Sequence, residues 1–169
     1  MQLTSTENAL PPIDGGTLVS HATAEMVALT EFYRALNTRD LELLSQVWWT
    51  ADEASMANPL GGVVRGWDKI SLIYERMFHN LRLEVALVEY TIHIVGSIFY
   101  AVGREHGYVE TSGGRVALNV RTTRIFRLEV SRWRQAHQHE SIDDPQLLQT
   151  YQRMLGPSLD AQSPTVRSH

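Results

Sequence analysis

The alternation of apolar and polar side chains is clearest between residues 115 and 141. In the first half of this stretch the even positions are mostly apolar and the odd positions mostly polar. A period of two predicts a half-buried β-strand. Ser131 interrupts the pattern and the second half resumes it, so we expect two long strands joined as a β-hairpin.

Several polar side chains fall on positions of this hairpin that should face the core. Arg124 lies in the middle of the apolar face of the first strand. In the second strand, strict alternation puts Trp133, Gln135, His137 and His139 on one face. An arginine and two histidines among core-facing positions favour a pocket.

Three helices are predicted ahead of the hairpin. The apolar residues of the first recur at helical spacing: Met26, Leu29, Tyr33 and Leu36. Asp40 is a good N-cap for a short second helix, and a third is expected over residues 67–79. Short strands are predicted between them, at 54–58 and 63–65.

Two more long strands are predicted before the hairpin, over residues 83–95 and 98–110, with glycine-containing turns at their ends. Gly103 and Gly107 lie inside the second of these strands and predict a bulge or a strong bend. Helices followed by four antiparallel strands indicate an α+β domain with a curved sheet.

The two ends of the chain differ from this central region. Residues 1–20 contain proline and glycine among polar residues and are interpreted as a flexible arm, so the domain itself is expected over residues 21–141. Pro145 stands at the first position of a further helix, within residues 142–156, and residues 157–169 are predicted to be a flexible tail. This helix either packs on its own domain or a sister subunit, or covers the pocket.

Composition narrows the classes of function. A chain of 169 residues can bury a substantial core. A net charge of -4 without a basic face argues against nucleic acid as a partner, and the lack of cysteine excludes thiolate chemistry. No apolar stretch is long enough for a membrane span and the first residues do not resemble a signal peptide. We therefore expect a cytoplasmic protein without a membrane contact and without a cofactor.

Three segments resemble the nuclear transport factor 2-like superfamily. FYRALNTRDLELLSQVW resembles its opening helix pair, NPLGGVVRGWDKI its strand-turn-helix segment, and TTRIFRLEVSRWRQAHQHES its final hairpin. Over residues 22–141 the chain is similar to SnoaL-like proteins and to the association domain of calcium/calmodulin-dependent kinase type II. The resemblance implies a cone-shaped α+β fold, with N-terminal helices packed on a strongly curved antiparallel sheet, and a homodimer formed through the outer sheet face.

The resemblance also bears on catalysis. Ketosteroid isomerases of this fold use an aspartate base just before a proline in the first short strand, and the matching residue here is Asn58, before Pro59. An amide cannot accept a substrate proton, so that mechanism is not carried over. His137 is then the best candidate for a catalytic base, because imidazole titrates near neutral pH. The alternative is a structural histidine that is bonded to a neighbouring polar side chain.

Metal binding is a weaker interpretation of the histidines. His137 and His139 could supply two ligands, with His106 or His93 as a third. No carboxylate companion is evident, so we expect no metal site.

Anion binding is the preferred interpretation of the arginines. The kinase association domain has arginines that project into its pocket at positions matching Arg104 and Arg124, and Tyr100 shares the face of Arg104. A buried guanidinium needs an acidic partner, which a carboxylate of a ligand could supply. Arg104 could instead pair with a carboxylate of its own chain, such as Glu110, or face solvent. The predicted ligand-binding residues are Arg104, Arg124, His139, Asn58 and Tyr100.

Three functions remain open from the sequence. The leading prediction is a dimeric protein whose internal pocket binds a small, acidic organic ligand. The second is an acid-base enzyme of the isomerase, dehydratase or cyclase type that uses His137. The third is an oligomerisation module without a ligand.

Overall fold

The computed structural model describes residues 10–159, whose helices and strands follow the predicted order. The helices are α1 (Ala24–Thr38), α2 (Leu41–Val47), α3 (Trp67–Asn80) and α4 (Pro145–Leu159). The strands are β1 (Ser55–Ala57), β2 (Val64–Arg65), β3 (Arg82–Val95), β4 (Ile98–Thr111), β5 (Gly114–Glu129) and β6 (Arg132–Ser141). Within the described residues they form one sheet in the order β2-β1-β6-β5-β4-β3, antiparallel except for the parallel pair β1–β6. The predicted α+β fold is confirmed.

The helices begin where the sequence supplies capping oxygens. The side chain of Thr23 accepts a hydrogen bond from the backbone N–H of Met26 at the start of α1. Asp40 accepts one from the N–H of Leu43 at the start of α2, so the predicted cap is confirmed. α1 then buries its apolar side chains against the inner face of the sheet, and Phe32 is completely buried there.

The sheet bends sharply at two glycines of β4, as predicted. A side chain on Gly103 would meet Tyr90, with a Cβ–Cβ distance of 2.7 Å. β3 carries a bulge at this level, where Glu89 and Tyr90 lie opposite the single residue Gly103. A side chain on Gly107, whose φ is +146°, would overlap the carbonyl of Glu84. The close backbone approach that curves the sheet therefore requires glycine at both positions.

Part of the predicted flexible arm is fixed to the domain. The backbone of Ile13 exchanges hydrogen bonds of 3.0 and 2.8 Å with Leu87 of β3, and its side chain is buried. Asn37 Nδ2 donates to the carbonyl of Asp14, and the hydroxyl of Tyr90 donates to that of Pro11. The prediction is wrong for this part of the arm, because one apolar side chain enters the core. Residues 1–9 lie outside the described residues.

α4 closes the open end of the cone. Leu155 is buried at 1% exposure and Gln152 Nε2 donates to the carbonyl of Pro59, so the helix is packed on its own domain. The helix ends at Leu159, beyond its predicted end at Gly156. Residues 160–169 lie outside the described residues. No helix in the described part of the chain has the length and apolarity that a membrane span requires.

Candidate functional site

A cavity of about 70 Å³ lies between the helices and the inner face of the sheet. Most of its wall is apolar: Phe32, Leu36, Met56, Ile73, Met77, Leu83, Val85, Val109, Leu118 and Val120. The polar side chains that line it are Asn58, Tyr74, Glu105, Arg124, Gln138, Glu140 and Tyr151. A few polar groups in an apolar cavity are typical of a site for a small molecule.

Arg124 is the centre of the polar part of the wall. Its side chain is 1% exposed and its guanidinium carbon lies 3.9 Å from the ring centroid of Phe32. The five N–H donors of the guanidinium are all used. They bond to Tyr33 Oη (3.0 Å), Gln135 Oε1 (3.1 Å), Gln138 Oε1 (2.8 Å), Glu105 Oε1 and Glu140 Oε1 (3.2 Å). The inward position predicted for Arg124 from alternation is observed, and its partners belong to the protein itself.

Glu105 is an internal carboxylate that the sequence pattern did not predict. It is 5% exposed, and its Oε1 accepts hydrogen bonds from Arg124 and from the hydroxyl of Tyr33, the latter at 2.7 Å. β4 turns its odd positions inward, so Glu105 enters the core with Phe99 and Ala101. The even face of this strand, which was predicted to line the pocket, lies outside.

Glu140 is the second internal carboxylate, and a bulge in β6 brings it inside. Phe126 pairs with Gln135, and the next residue of β5, Ile125, pairs with His137, which leaves Ala136 as an extra residue. Beyond the bulge the alternation is shifted by one residue. Gln138 and Glu140 therefore face the cavity.

His137 and His139 are turned to the outer face by the same bulge. The prediction that they share a face with Gln135 is wrong, because it assumed a regular strand. His137 Nδ1 lies 2.8 Å from Ser55 Oγ, and partial burial together with the nearby His139 lowers the pKa of His137. Neither histidine lines the cavity, and a catalytic role for His137 stays a prediction.

Arg104 and Tyr100 also lie on the outer face. Arg104 donates to Asn119 Oδ1 at 3.0 Å and pairs with Asp143 at 3.1 Å, while the ring of Tyr100 stacks on His93. The structure thus places Arg104 apart from Arg124, which contradicts their predicted common pocket. Arg104 and His139 instead line an open groove of about 530 Å³ on the outer face.

Asn58 is the other predicted residue that lines the cavity. Its Oδ1 accepts a hydrogen bond from the N–H of Leu60 at 3.0 Å, which fixes the orientation of the amide. The N–H₂ group of Asn58 has no hydrogen-bond partner within residues 10–159. It is thus a donor with a fixed orientation at the cavity wall.

The cluster around Arg124 contains more acid than base. Burial, reinforced by the neighbouring Glu105, raises the pKa of Glu140 to about 8, although Arg124 opposes this change. Burial also raises the pKa of Tyr33 and of Tyr74 above the ordinary value of a phenol, so both hydroxyls stay protonated. At neutral pH Glu140 therefore holds a proton beside the cavity.

The hydrogen bonds of the two carboxyl groups leave one oxygen of each unused. Glu105 and Glu140 both accept through Oε1, and their Oε2 atoms have no hydrogen-bond partner in the described part of the chain. Gln138 supports the arrangement, since its Nε2 donates to Glu140 at 2.5 Å and its Oε1 accepts from Tyr74 at 2.9 Å. The residues that the structure describes include no group of three or more potential metal ligands.

Comparisons with known proteins agree with this architecture. The model of the SnoaL-like domain family matches residues 26–145. A candidate dehydratase of the nuclear transport factor 2-like family from Streptomyces avermitilis has 23% identity and a TM-score of 0.63, over 68% of this chain and 90% of that one. A candidate calcium/calmodulin-dependent kinase type II association domain from Thiobacillus denitrificans has 23% identity and a TM-score of 0.58, over 75% and 100%.

A third solved structure similar to this chain is a candidate ketosteroid isomerase from Shewanella frigidimarina, with 18% identity and a TM-score of 0.57, over 70% of this chain and 95% of that one. No curated protein matches the chain. Identities of this size establish the fold, and the chemistry has to be argued from the cavity.

Proposed function

The chain belongs to the SnoaL-like domain family, and we propose that it is an acid-base enzyme that transfers a proton on a small, uncharged oxygen-containing molecule held in the interior cavity. The observation that carries the proposal is the pair Glu105 and Glu140. Both line the cavity, both bond to one guanidinium, and both leave Oε2 without a partner among residues 10–159. Glu140 would donate the proton.

The proton on Glu140 is central to this proposal. A general acid or base works best when its pKa lies near the working pH. With a pKa of about 8, Glu140 is mostly protonated at pH 7 and still gives up its proton easily.

The roles of the two carboxyl groups follow from their partners. Glu140 would protonate a carbonyl or hydroxyl oxygen of the ligand, while Glu105, through its unused oxygen, would accept a proton from the neighbouring carbon, whose C–H electron pair forms the new carbon–carbon double bond. Arg124 holds both groups in place, and Asn58 offers a further donor to the ligand oxygen. Isomerisation of a ketone and dehydration of a hydroxy ketone both need this combination of an acid and a base.

The charge balance favours an uncharged ligand over the acidic one predicted from the sequence. That prediction assumed that Arg124 lacked an internal partner. All five of its N–H groups are bonded, two of them to carboxyl groups. A carboxylate ligand would add negative charge to a site that already has an excess of acidic groups.

The proposal is tested by hydrogen exchange of 2-butanone in D₂O, followed by proton NMR. Wild type should accelerate exchange next to the carbonyl, and Glu140→Gln should lower this acceleration by about 100-fold or more. Glu110→Gln, which alters an exposed ion pair between Glu110 of β4 and Arg115 of β5, is the matched control. Binding of 2-butanone without acceleration would indicate a binding pocket and refute the enzyme.

We also propose that two copies pair through the outer face of the sheet. Ile98 and Val102 of β4 are 43% and 42% exposed there, next to charged residues that could pair between copies. Sedimentation velocity should give a dimer, and Val102→Glu should give a monomer. If the wild type is monomeric at micromolar concentration, the proposed dimer is excluded. The cavity would then be a site formed entirely by one chain.

A further inference from the structure

The helix α4 contributes one side chain, Tyr151, to the wall of the cavity. The match to the family ends at residue 145, where α4 begins, so this side chain comes from outside the matched region. The helix is firmly attached: Asp144 caps it, Gln152 bonds to Pro59, and Leu155 is buried. Tyr151 is therefore a fixed part of the wall.

The hydroxyl of Tyr151 differs from those of the other two tyrosines near Arg124. Tyr33 donates to Glu105 and Tyr74 donates to Gln138. The hydroxyl of Tyr151 has no hydrogen-bond partner among residues 10–159. Burial raises its pKa above the ordinary value of a phenol, with a further contribution from Glu140, so it remains a donor. Tyr151 is only half-buried, and its hydroxyl is not among the fully buried polar atoms that lack a partner in the described residues, so it is accessible from the cavity and free to donate to a ligand oxygen.

The size of the cavity limits what can reach this hydroxyl. In another protein an engineered apolar cavity of about 150 Å³ holds benzene. The cavity here, at about 70 Å³, is half as large. With α4 in place it admits a molecule of roughly four or five non-hydrogen atoms but not a six-membered ring.

We propose that Tyr151 is the specificity-determining residue of the cavity, where it donates a hydrogen bond to the oxygen of a short-chain ketone or alcohol and excludes ring-sized ligands. The inference rests on the proposed function, because it names the substrate class of the same site. The oxygen of the ligand would then accept hydrogen bonds from Tyr151 and Asn58, which both line the cavity, and receive the proton from Glu140.

The test compares 2-butanone and cyclohexanone as probes, with binding measured by ligand-observed NMR. Wild type should bind 2-butanone and exclude cyclohexanone. Tyr151→Phe removes only the hydroxyl. It should weaken the binding of 2-butanone by about five-fold, which is the effect of one ordinary hydrogen bond. Tyr151→Ala should admit cyclohexanone. Tyr100→Phe, on the outer face, is the matched control and should bind as wild type does.

The outcomes separate this inference from the proposed function. If Tyr151→Phe binds 2-butanone like wild type while Glu140→Gln abolishes exchange, the inference is wrong and the enzyme stands. If Tyr151→Phe weakens binding and wild type catalyses no exchange, the inference stands for a binding site and the enzyme is wrong. If wild type does not bind 2-butanone, or binds cyclohexanone equally well, the assigned substrate class is wrong. The melting temperature of each variant checks that the fold is kept.

Discussion

Replacing Glu140 by glutamine should change how the stability of the protein depends on pH. Glutamine has the shape of a protonated glutamate, and its Oε1 can keep the hydrogen bonds from Arg124 and Gln138. The variant therefore represents the protonated state of Glu140 at every pH. The difference between wild type and variant reports the titration that Glu140 adds to the cluster around Arg124.

The direction in which the pKa of Glu140 changes on folding decides whether the protein gains or loses stability as the pH rises. The pKa of Glu140 is about 8 in the folded chain, against an ordinary value of 4.5 that applies when the chain is unfolded. The folded state thus binds the proton more tightly. This contribution to stability is complete below pH 4.5 and is lost as the pH rises to about 8. Above that, ionised Glu140 destabilises the fold.

The two pKa values of Glu140, folded and unfolded, set an upper limit on its contribution to the free energy of unfolding. A pKa change from 4.5 to about 8 corresponds to roughly 5 kcal/mol in the free energy of unfolding. Water that enters the adjacent cavity will solvate the ionised carboxylate and reduce the effect, so we expect on the order of 3 kcal/mol. Wild type and Glu140→Gln should be similarly stable at pH 5, and the variant should be more stable at pH 9.

Urea unfolding at pH values from 5 to 9, followed by tryptophan fluorescence, measures this difference. Glu110→Gln is the control, because its exposed ion pair should give a difference from wild type that hardly changes over this range. The carbon-13 signal of the Glu140 carboxyl group reports the titration directly. Parallel curves for wild type and Glu140→Gln, or ionised Glu140 at pH 6, would refute the argument for a proton held at this site.

The remaining predictions concern other parts of the fold. Arg124→Leu should destabilise the protein by about 3 kcal/mol or more, since it leaves two internal carboxyl groups without their cation, whereas Arg104→Ala should have little effect on urea unfolding. Val130, at the tip of the β5–β6 hairpin, is 99% exposed with a φ of 58°, so Val130→Asn should stabilise by about 1 kcal/mol in calorimetry; a loss of stability would show that the valine makes a contact. His137→Gln should keep the rate of ketone exchange, and a large loss would restore the histidine as the base.

The order of helices and strands was predictable because each depends on local periodicity. The helical spacing in α1 and the alternation in β5 are properties of short segments. These patterns also indicate which face of each element is buried. Arg124 was placed correctly for this reason, since β5 keeps its alternation on both sides of it. The resemblance of three segments then gave the cone-shaped fold, which the family match confirms.

The internal carboxylates were not predictable from local patterns. On β4 both faces carry apolar residues, so alternation alone does not tell which face turns inward. On β6 the extra residue Ala136 depends on pairing with two neighbouring strands. Glu105 and Glu140 were missed because the face of a strand is settled by tertiary packing. Without these two carboxyl groups, Arg124 had no predicted acidic partner inside the protein. An acidic ligand was therefore predicted to fill that role.

The bulge at Ala136 also determines how proteins of this shape can change their chemistry during evolution. A bulge moved from Ala136 to Gln138 would place His137 opposite Arg124, where Gln138 now lies. An imidazole would then enter the cavity without a substitution at that position. The position of one extra residue in a strand thus decides which side chains enter the cavity. Relatives should therefore be aligned by strand register before their sites are compared.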